Sequence, residues 1–471
     1  MKAQTPTASP QQKLGLVNRV YVWSVVFESL LFFIIGSQFA TGFNITVGKV
    51  LQILVIILLI LGRIAYRRDI RIVNPKSPAY KYFAAFFALA IVSGIIGAFS
   101  GRYTLNAGYG SAYASTAIAR FIRGAGTRPF IEYAILAYYF VYFTVLPRYL
   151  LRSDKGQAYF FRVFRIAFTA CLAFGFVDLL LQAFGHSGIP RDMSEGLYVG
   201  FRFHGLAGEP RDAFVYLMFG LAILNLYAYW RKRGTVSRTW IAVVFLAAIL
   251  TQSASGMLGL LFAALLVIGA SRKELSVKHV LWLGGTTMMI LAVVLISVQS
   301  SPRLQTYVAA SSVLLDALER GMAPPAAIAP QMVNIYPVWD LYTKVSHGTV
   351  GPLFIGSGLG SASVVNNNLG GSLNELANPN SEVIRLLYEC GIVGTLLLVL
   401  AFIYPVRVVT SSLGAKARRR FLIFTCLLIG LFLAHRSTTP FIYLGIFLVV
   451  MGRAAPAAAS VQASSLRRNG G

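Results

Sequence analysis

The chain has 471 residues, of which 56% are hydrophobic and only 12% charged, and its formal net charge is +26. Its mean hydropathy is +0.68, whereas soluble domains carry about 25% charged residues. A surface this apolar excludes a soluble enzyme, a disordered chain and a collagen-like fibre, and it points to a bilayer as the solvent.

About twelve apolar segments approach the ~20 residues that a helical span needs. They run over 20–41, 46–64, 80–100, 129–147, 162–184, 212–230, 239–254, 256–271, 279–298, 381–406, 421–436 and 440–453. The first follows a polar stretch, Met1–Asn18, and lacks a small-residue cleavage site, so it reads as a retained anchor. The seventh and eighth form a tight hairpin with Thr251–Gly256 at its tip. Glu28, Glu132 and Asp178 are lone acids inside spans and read as satisfied polar contacts between helices. The three cysteines, Cys171, Cys390 and Cys426, imply no disulfide framework.

The placement of lysine and arginine orients the spans. With both termini cytoplasmic, most of the 42 basic residues face the cytoplasm, among them Arg67-Arg68, Arg231-Lys232-Arg233, Arg272-Lys273 and Arg418-Arg419-Arg420. The cytoplasmic acids are only Asp69, Asp154 and Glu274. The net charge is therefore a topology signal whose implied partner is the membrane surface, not nucleic acid. The expected fold is all-α and polytopic, with about twelve transmembrane helices and a large, partly helical periplasmic loop between the ninth and tenth. The expected division is a bundle of about nine spans over 1–298, a loop domain over 299–380, about three spans over 381–453, and a cytoplasmic tail over 454–471.

A loop this long is usually functional. Residues 301–320 place Leu304, Tyr307, Val308, Leu314, Leu315 and Leu318 on one helical face. A Pro/Ala linker, Ala323–Pro330, follows, then a short helix expected over Val338–Val345. Next come the glycine-rich Gly356-Ser-Gly358-Leu-Gly360 and an Asn/Gly-rich coil through Asn378. No sequence repeat relates two halves, which speaks against a transporter built from them.

The outer face is rich in arginine: Arg102, Arg120, Arg123, Arg128, Arg191, Arg202, Arg211, Arg303, Arg320, Arg385 and Arg436. A guanidinium offers a planar fork suited to phosphate and carboxylate, so an anionic ligand fits this face. Arg120 and Arg123 share a face of a helix expected over Ser111–Gly124, in the headgroup plane. Phe201–Arg211 gathers Arg202, His204, Glu209 and Arg211 before the sixth span, with glycines 205 and 208 allowing close backbone approach. His204 or Glu209 can serve as a base there; the plainer reading pairs Glu209 with Arg211 or Arg202. The tenth span opens with Asn380 as N-cap and sets Glu382, Arg385 and Glu389 on one face. Such charges must face protein or a wet cavity, so they either meet an anion or form a salt bridge that orients the helix. Arg436 sits beside His435 at the outer end of the eleventh span. No cluster has zinc or calcium spacing and there is no Walker-type loop, so a reaction without metal, nucleotide or cofactor is expected.

Three of these stretches resemble the O-antigen ligase and Wzy-type polysaccharide polymerase superfamily. Arg202–Pro210 is similar to the family's Arg–Gly–(His)-Pro-Asn stretch, with Glu209-Pro-Arg211 in place of His-Pro-Asn. Leu250-Thr-Gln-Ser253-Ala-Ser-Gly256 is similar to its Thr-x-Ser-Arg-Gly hairpin, with Ala254 in place of arginine. Gly356–Gly360, followed by Asn380–Gly391 and Ile392-Val-Gly394, resembles its Gly-x-Gly and His-Asn…Glu-x-Gly pattern. The likeness covers roughly residues 200–400. Asn380 stands where the ligase pattern has histidine, which favours the polymerase side. The resemblance implies a glycosyltransferase of the bacterial inner membrane, active at its periplasmic face, that polymerises undecaprenyl diphosphate-linked oligosaccharide repeats into O-antigen, capsular or exopolysaccharide. It implies Arg202, Arg211, Arg385 and Arg436 as diphosphate clamps, aided by Arg120 and Arg123, and Glu209, His204 or Glu389 as base. Trp339, Tyr336, Tyr342, Asn380 and Glu382 are the expected sugar contacts. Partners would be the lipid-linked oligosaccharide, membrane lipids, and a chain-length regulator with export machinery. The alternatives are ligase-type transfer to a lipid or protein acceptor, and a flippase or transporter of an anionic lipid-linked glycan.

Overall fold

The computed structural model describes residues 15–30, 33–36, 45–66, 78–100, 102, 127–186, 202–207, 209–230, 236–270, 335–370, 381–411 and 415–434, with isolated positions at 285, within 305–322 and within 442–446. The described residues are almost entirely helical. In chain order they form α1 (Leu16–Glu28), a two-stranded ladder of β1 (Ile34–Gly36) and β2 (Ile45–Thr46), α2 (Val47–Tyr66), α3 (Pro78–Phe99) and α4 (Arg128–Tyr139). A π-helical turn (Phe140–Val145) leads into α5 (Leu146–Leu150), then α6 (Asp154–Ala183), a 3-10 turn (Gly205–Ala207), α7 (Pro210–Trp230), α8 (Arg238–Leu250) and α9 (Ala254–Ala270). The last group is α10 (Ile335–Ser346), α11 (Gly351–Ile355), α12 (Ser361–Gly370), α13 (Glu382–Ser411) and α14 (Ala415–Ala434).

Among the described residues, four helical stretches are long and apolar enough to cross a membrane: Lys81–Phe99, Phe130–Leu150, Asp154–Ala183 and Glu382–Ala401. Val47–Gly62, Arg238–Leu250, Ser255–Ile268 and Leu422–Ala434 are shorter apolar helices. Ile53, Ile57, Ile60 and Leu61 on α2, and Ile91 and Ile95 on α3, are exposed. Rows of exposed isoleucine and leucine are costly in water and at home in lipid, so the chain reads as a polytopic membrane protein.

The first apolar segment does not form one continuous helix over 20–41. Helix α1 stops at Glu28, and β1 pairs antiparallel with β2, Ile34 opposite Thr46. The stop has a polar cause: the buried Glu28 carboxylate accepts from Gln52 Nε2 (2.9 Å) and Thr46 Oγ1 (3.3 Å), drawing α2 against the end of α1. Helix α6 begins earlier than the apolar run suggests, because Ser153 Oγ caps it by accepting from Gly156 N (3.0 Å). The Asn/Gly-rich stretch is not all coil, since α12 occupies its first part with Ala362, Val364 and Val365 buried. The expected loop helix runs over Ile335–Ser346. The segments 279–298 and 440–453, the helix over Ser111–Gly124 and the amphipathic helix over 301–320 lie wholly or mostly outside the described residues.

Helix packing follows membrane rules, with small residues letting backbones approach. Helix α9 lies against α14, where a Cβ on Gly430 would sit 2.5 Å from Ala263 N. Helix α3 packs along α13, and α1 along α2 and α6. The π-helical turn breaks the regular bonding of its segment, and the Tyr142 carbonyl there accepts from Tyr21 OH (3.1 Å).

Candidate functional site

Helix α13 is not continuous. Gly391 takes φ 67° and ψ −176°, so the chain breaks there and resumes. The break leaves the carbonyls before it open to outside donors. Ser357 N donates to Tyr388 O (2.8 Å) and Gly358 N to Glu389 O (2.9 Å), while Ser93 Oγ on α3 also donates to Glu389 O (3.1 Å). The glycine-rich loop is thus docked on the broken helix. Glycine is required on both sides: a Cβ on Gly356 (φ 82°) would lie 2.3 Å from Glu389 O, and one on Gly391 would lie 2.3 Å from Phe354 O. Arg102, beyond the end of α3, donates from Nη1 to Gly356 O (3.3 Å) and closes the arrangement.

On the α13 segment before the break, Arg385 is the hub of a buried charge cluster. Its Nε donates to Glu382 Oε2 (3.0 Å) and its Nη2 to the other oxygen of the same carboxylate, a bidentate fork. Its Nη1 reaches Glu132 Oε2 on α4 (3.2 Å) and lies 3.6 Å from Glu389 Oε2. All four side chains are buried. Glu382, Arg385 and Glu389 share one face, as their spacing predicts, and they meet protein there. Glu132 is not a lone acid, since it completes this cluster. An acid in an apolar span was the visible signal, but its partner on α13 is too distant in sequence for spacing to reveal. Asp178 accepts from Gln182 Nε2 one turn on (3.0 Å).

A second polar group ties the loop to the same helix. Tyr388 OH donates to Asp340 Oδ2 (2.6 Å), and Lys344 pairs with that same oxygen and lies 3.4 Å from the Tyr388 hydroxyl. Tyr336 and Trp339 on α10 are buried, and only Tyr342 of the three expected sugar-stacking rings is exposed. Burial pushes the Tyr336 phenol above its ordinary value.

The stretch before α7 engages the α8–α9 hairpin. Arg202 donates from Nε to Thr251 O and from Nη2 to Gln252 O, both at 3.0 Å, and Phe203 N donates to Leu250 O (2.8 Å). The guanidinium therefore satisfies carbonyls at the end of α8, a cation where the helix dipole is negative. His204 is buried. Glu209 forms an ion pair with Arg211 on the first turn of α7, and Arg211 remains partly exposed. Arg120, Arg123, Asn380 and Arg436 lie outside the described residues.

The sequence segments therefore meet in two pairs: Arg202–Phe203 with Leu250–Gln252, and Gly356–Gly358 with Tyr388–Gly391. Among the described residues no group of His, Cys, Asp and Glu could hold a metal ion. In comparison with known proteins, no family model and no curated sequence matches this chain.

Proposed function

We propose that this chain is a multi-pass inner-membrane glycosyltransferase that polymerises undecaprenyl diphosphate-linked oligosaccharide repeats at the periplasmic face. The proposed topology is about twelve spans with both termini cytoplasmic. The observation that supports this reading is the pairing of separated segments. The three stretches that resemble the polymerase superfamily are bonded to partners within that same set, across tens of residues.

The chemistry asks for a base and for fixed positive charge. An acceptor sugar hydroxyl attacks the anomeric carbon of the lipid-linked donor, the bond from that carbon to the diphosphate oxygen breaks, and the diphosphate leaves with its electron pair. The hydroxyl proton passes to a carboxylate. Of the candidate bases, Glu209 is the one that keeps some exposure, whereas His204 and Glu389 are buried. Glu209 is therefore the base in this proposal, and Arg211 beside it is the cation within reach of the leaving diphosphate. Arg202 and Arg385 shape the site by holding the hairpin and the start of α13. Arg120, Arg123 and Arg436 complete the cation set for the lipid headgroup.

The test compares purified wild type, Glu209→Gln and Arg211→Ala with a donor of one repeat unit. Both variants should stay folded and lose chain extension, by about a hundredfold or more for the base. Extension at the wild-type rate by both variants would overturn these assignments.

A further inference from the structure

Helix α10 carries its polarity the wrong way round for a helix on an aqueous surface. Its charged pair, Asp340 and Lys344, is turned toward Tyr388 on α13. Val338 and Tyr342, four residues apart on the other face, are 51% and 55% exposed. The face continues past the turn, where Val350 is 49% and Phe354 50% exposed. In water the preference is opposite, with charged residues out and large apolar ones in.

The neighbours of this face say what covers it. Helix α11 packs on α13 and touches α3, both of which hold stretches long and apolar enough to cross a membrane. The exposed loop face therefore adjoins a span whose Ile91 and Ile95 are themselves exposed and whose last residue, Phe99, is 90% exposed. Arg102, just past that end, is bonded to Gly356 O, one residue beyond α11. An arginine at the end of a span marks the level where hydrocarbon gives way to headgroups.

We propose that α10 and α11 lie in the membrane interface, with Val338, Tyr342, Val350 and Phe354 against the lipids of the leaflet into which α3 ends. The partner is the bilayer itself. Tyr342 then faces lipid and not a sugar ring. The loop seats Asp340 and Lys344 on α13 from the lipid side. The placement of the two helices rests on the membrane-spanning reading alone and stands or falls independently of glycosyl transfer.

The test uses the full chain in phosphatidylethanolamine–phosphatidylglycerol nanodiscs. Val338→Cys, Tyr342→Cys and Phe354→Cys each receive a nitroxide, with His347→Cys on the exposed turn as the reference. The native Cys171, Cys390 and Cys426 are buried, and labelled wild type supplies the background. At 338, 342 and 354, collisions with oxygen should outnumber those with a water-soluble nickel chelate, and at 347 the order should reverse. Nickel outnumbering oxygen at all three positions would mean an aqueous surface and overturn the proposal. Low accessibility to both reagents would mean that protein, such as a second copy of this chain, covers the face, and would overturn it too.

Discussion

Replacing Gly391 by alanine probes the joint between the glycine loop and the broken helix. At φ 67° and ψ −176° Gly391 occupies a region that essentially only glycine adopts, and an alanine there costs about 1–3 kcal/mol. Its methyl would also lie 2.3 Å from Phe354 O and 2.6 Å from Gly356 N, and forcing it in costs about 1–3 kcal/mol more. The loop that must yield carries the bonds from Ser357 N to Tyr388 O and from Gly358 N to Glu389 O, each contributing about 1 kcal/mol net. The expected loss is about 4–8 kcal/mol. Gly348→Ala is the control for a positive φ without contacts, because Gly348 has φ 81° but nothing within 4 Å of a built Cβ. It should lose only the conformational part, about 1–2 kcal/mol. Thermal unfolding in detergent, followed by the monodisperse fraction on size exclusion, reads both. Equal losses in the two variants would refute the reasoning, since the contact with the loop would then contribute nothing.

Arg385→Met strands three buried carboxyl groups without their cation and should destabilise the fold by about 3–5 kcal/mol, with partial recovery when Glu132→Gln and Glu382→Gln are added; unfolding midpoints of the single and triple variants check this. Arg202→Ala removes two charge-assisted bonds to the Thr251 and Gln252 carbonyls, about 1.5–3 kcal/mol each, and should speed hydrogen exchange at the hairpin and at Phe203 N–H. Tyr388→Phe removes the 2.6 Å bond to Asp340 and should weaken the seating of α10 by about 1 kcal/mol, seen as faster exchange over Ile335–Ser346 with α6 unchanged.

Hydrophobic runs and basic flanks were enough to read a helical membrane protein and to place the start of most helices, because apolar length is the dominant signal in a bilayer. What they could not carry was polar closure between distant segments. The early end of α1 depends on Gln52 and Thr46 reaching Glu28, and nothing in the run 20–41 signals that. The shared face of Glu382, Arg385 and Glu389 was legible from helical spacing, whereas Glu132 was visible only as an acid in an apolar span. The glycines of 356–360 were visible as a loop. Their partner is a break at Gly391 inside an apolar helix, where one glycine reads no differently from Gly394 three residues on.

Product analysis shows whether the chain itself joins lipid-linked repeats, as proposed. Purified protein in nanodiscs is given one lipid-diphosphate-linked oligosaccharide repeat and no nucleotide sugar, and the products are separated on a gel. A ladder that rises by whole repeats is the expected result. Folded protein and intact donor that yield no ladder would contradict it. Transfer to an added lipid A core would then identify a ligase, and no transfer at all would turn attention to flipping of the lipid-linked glycan.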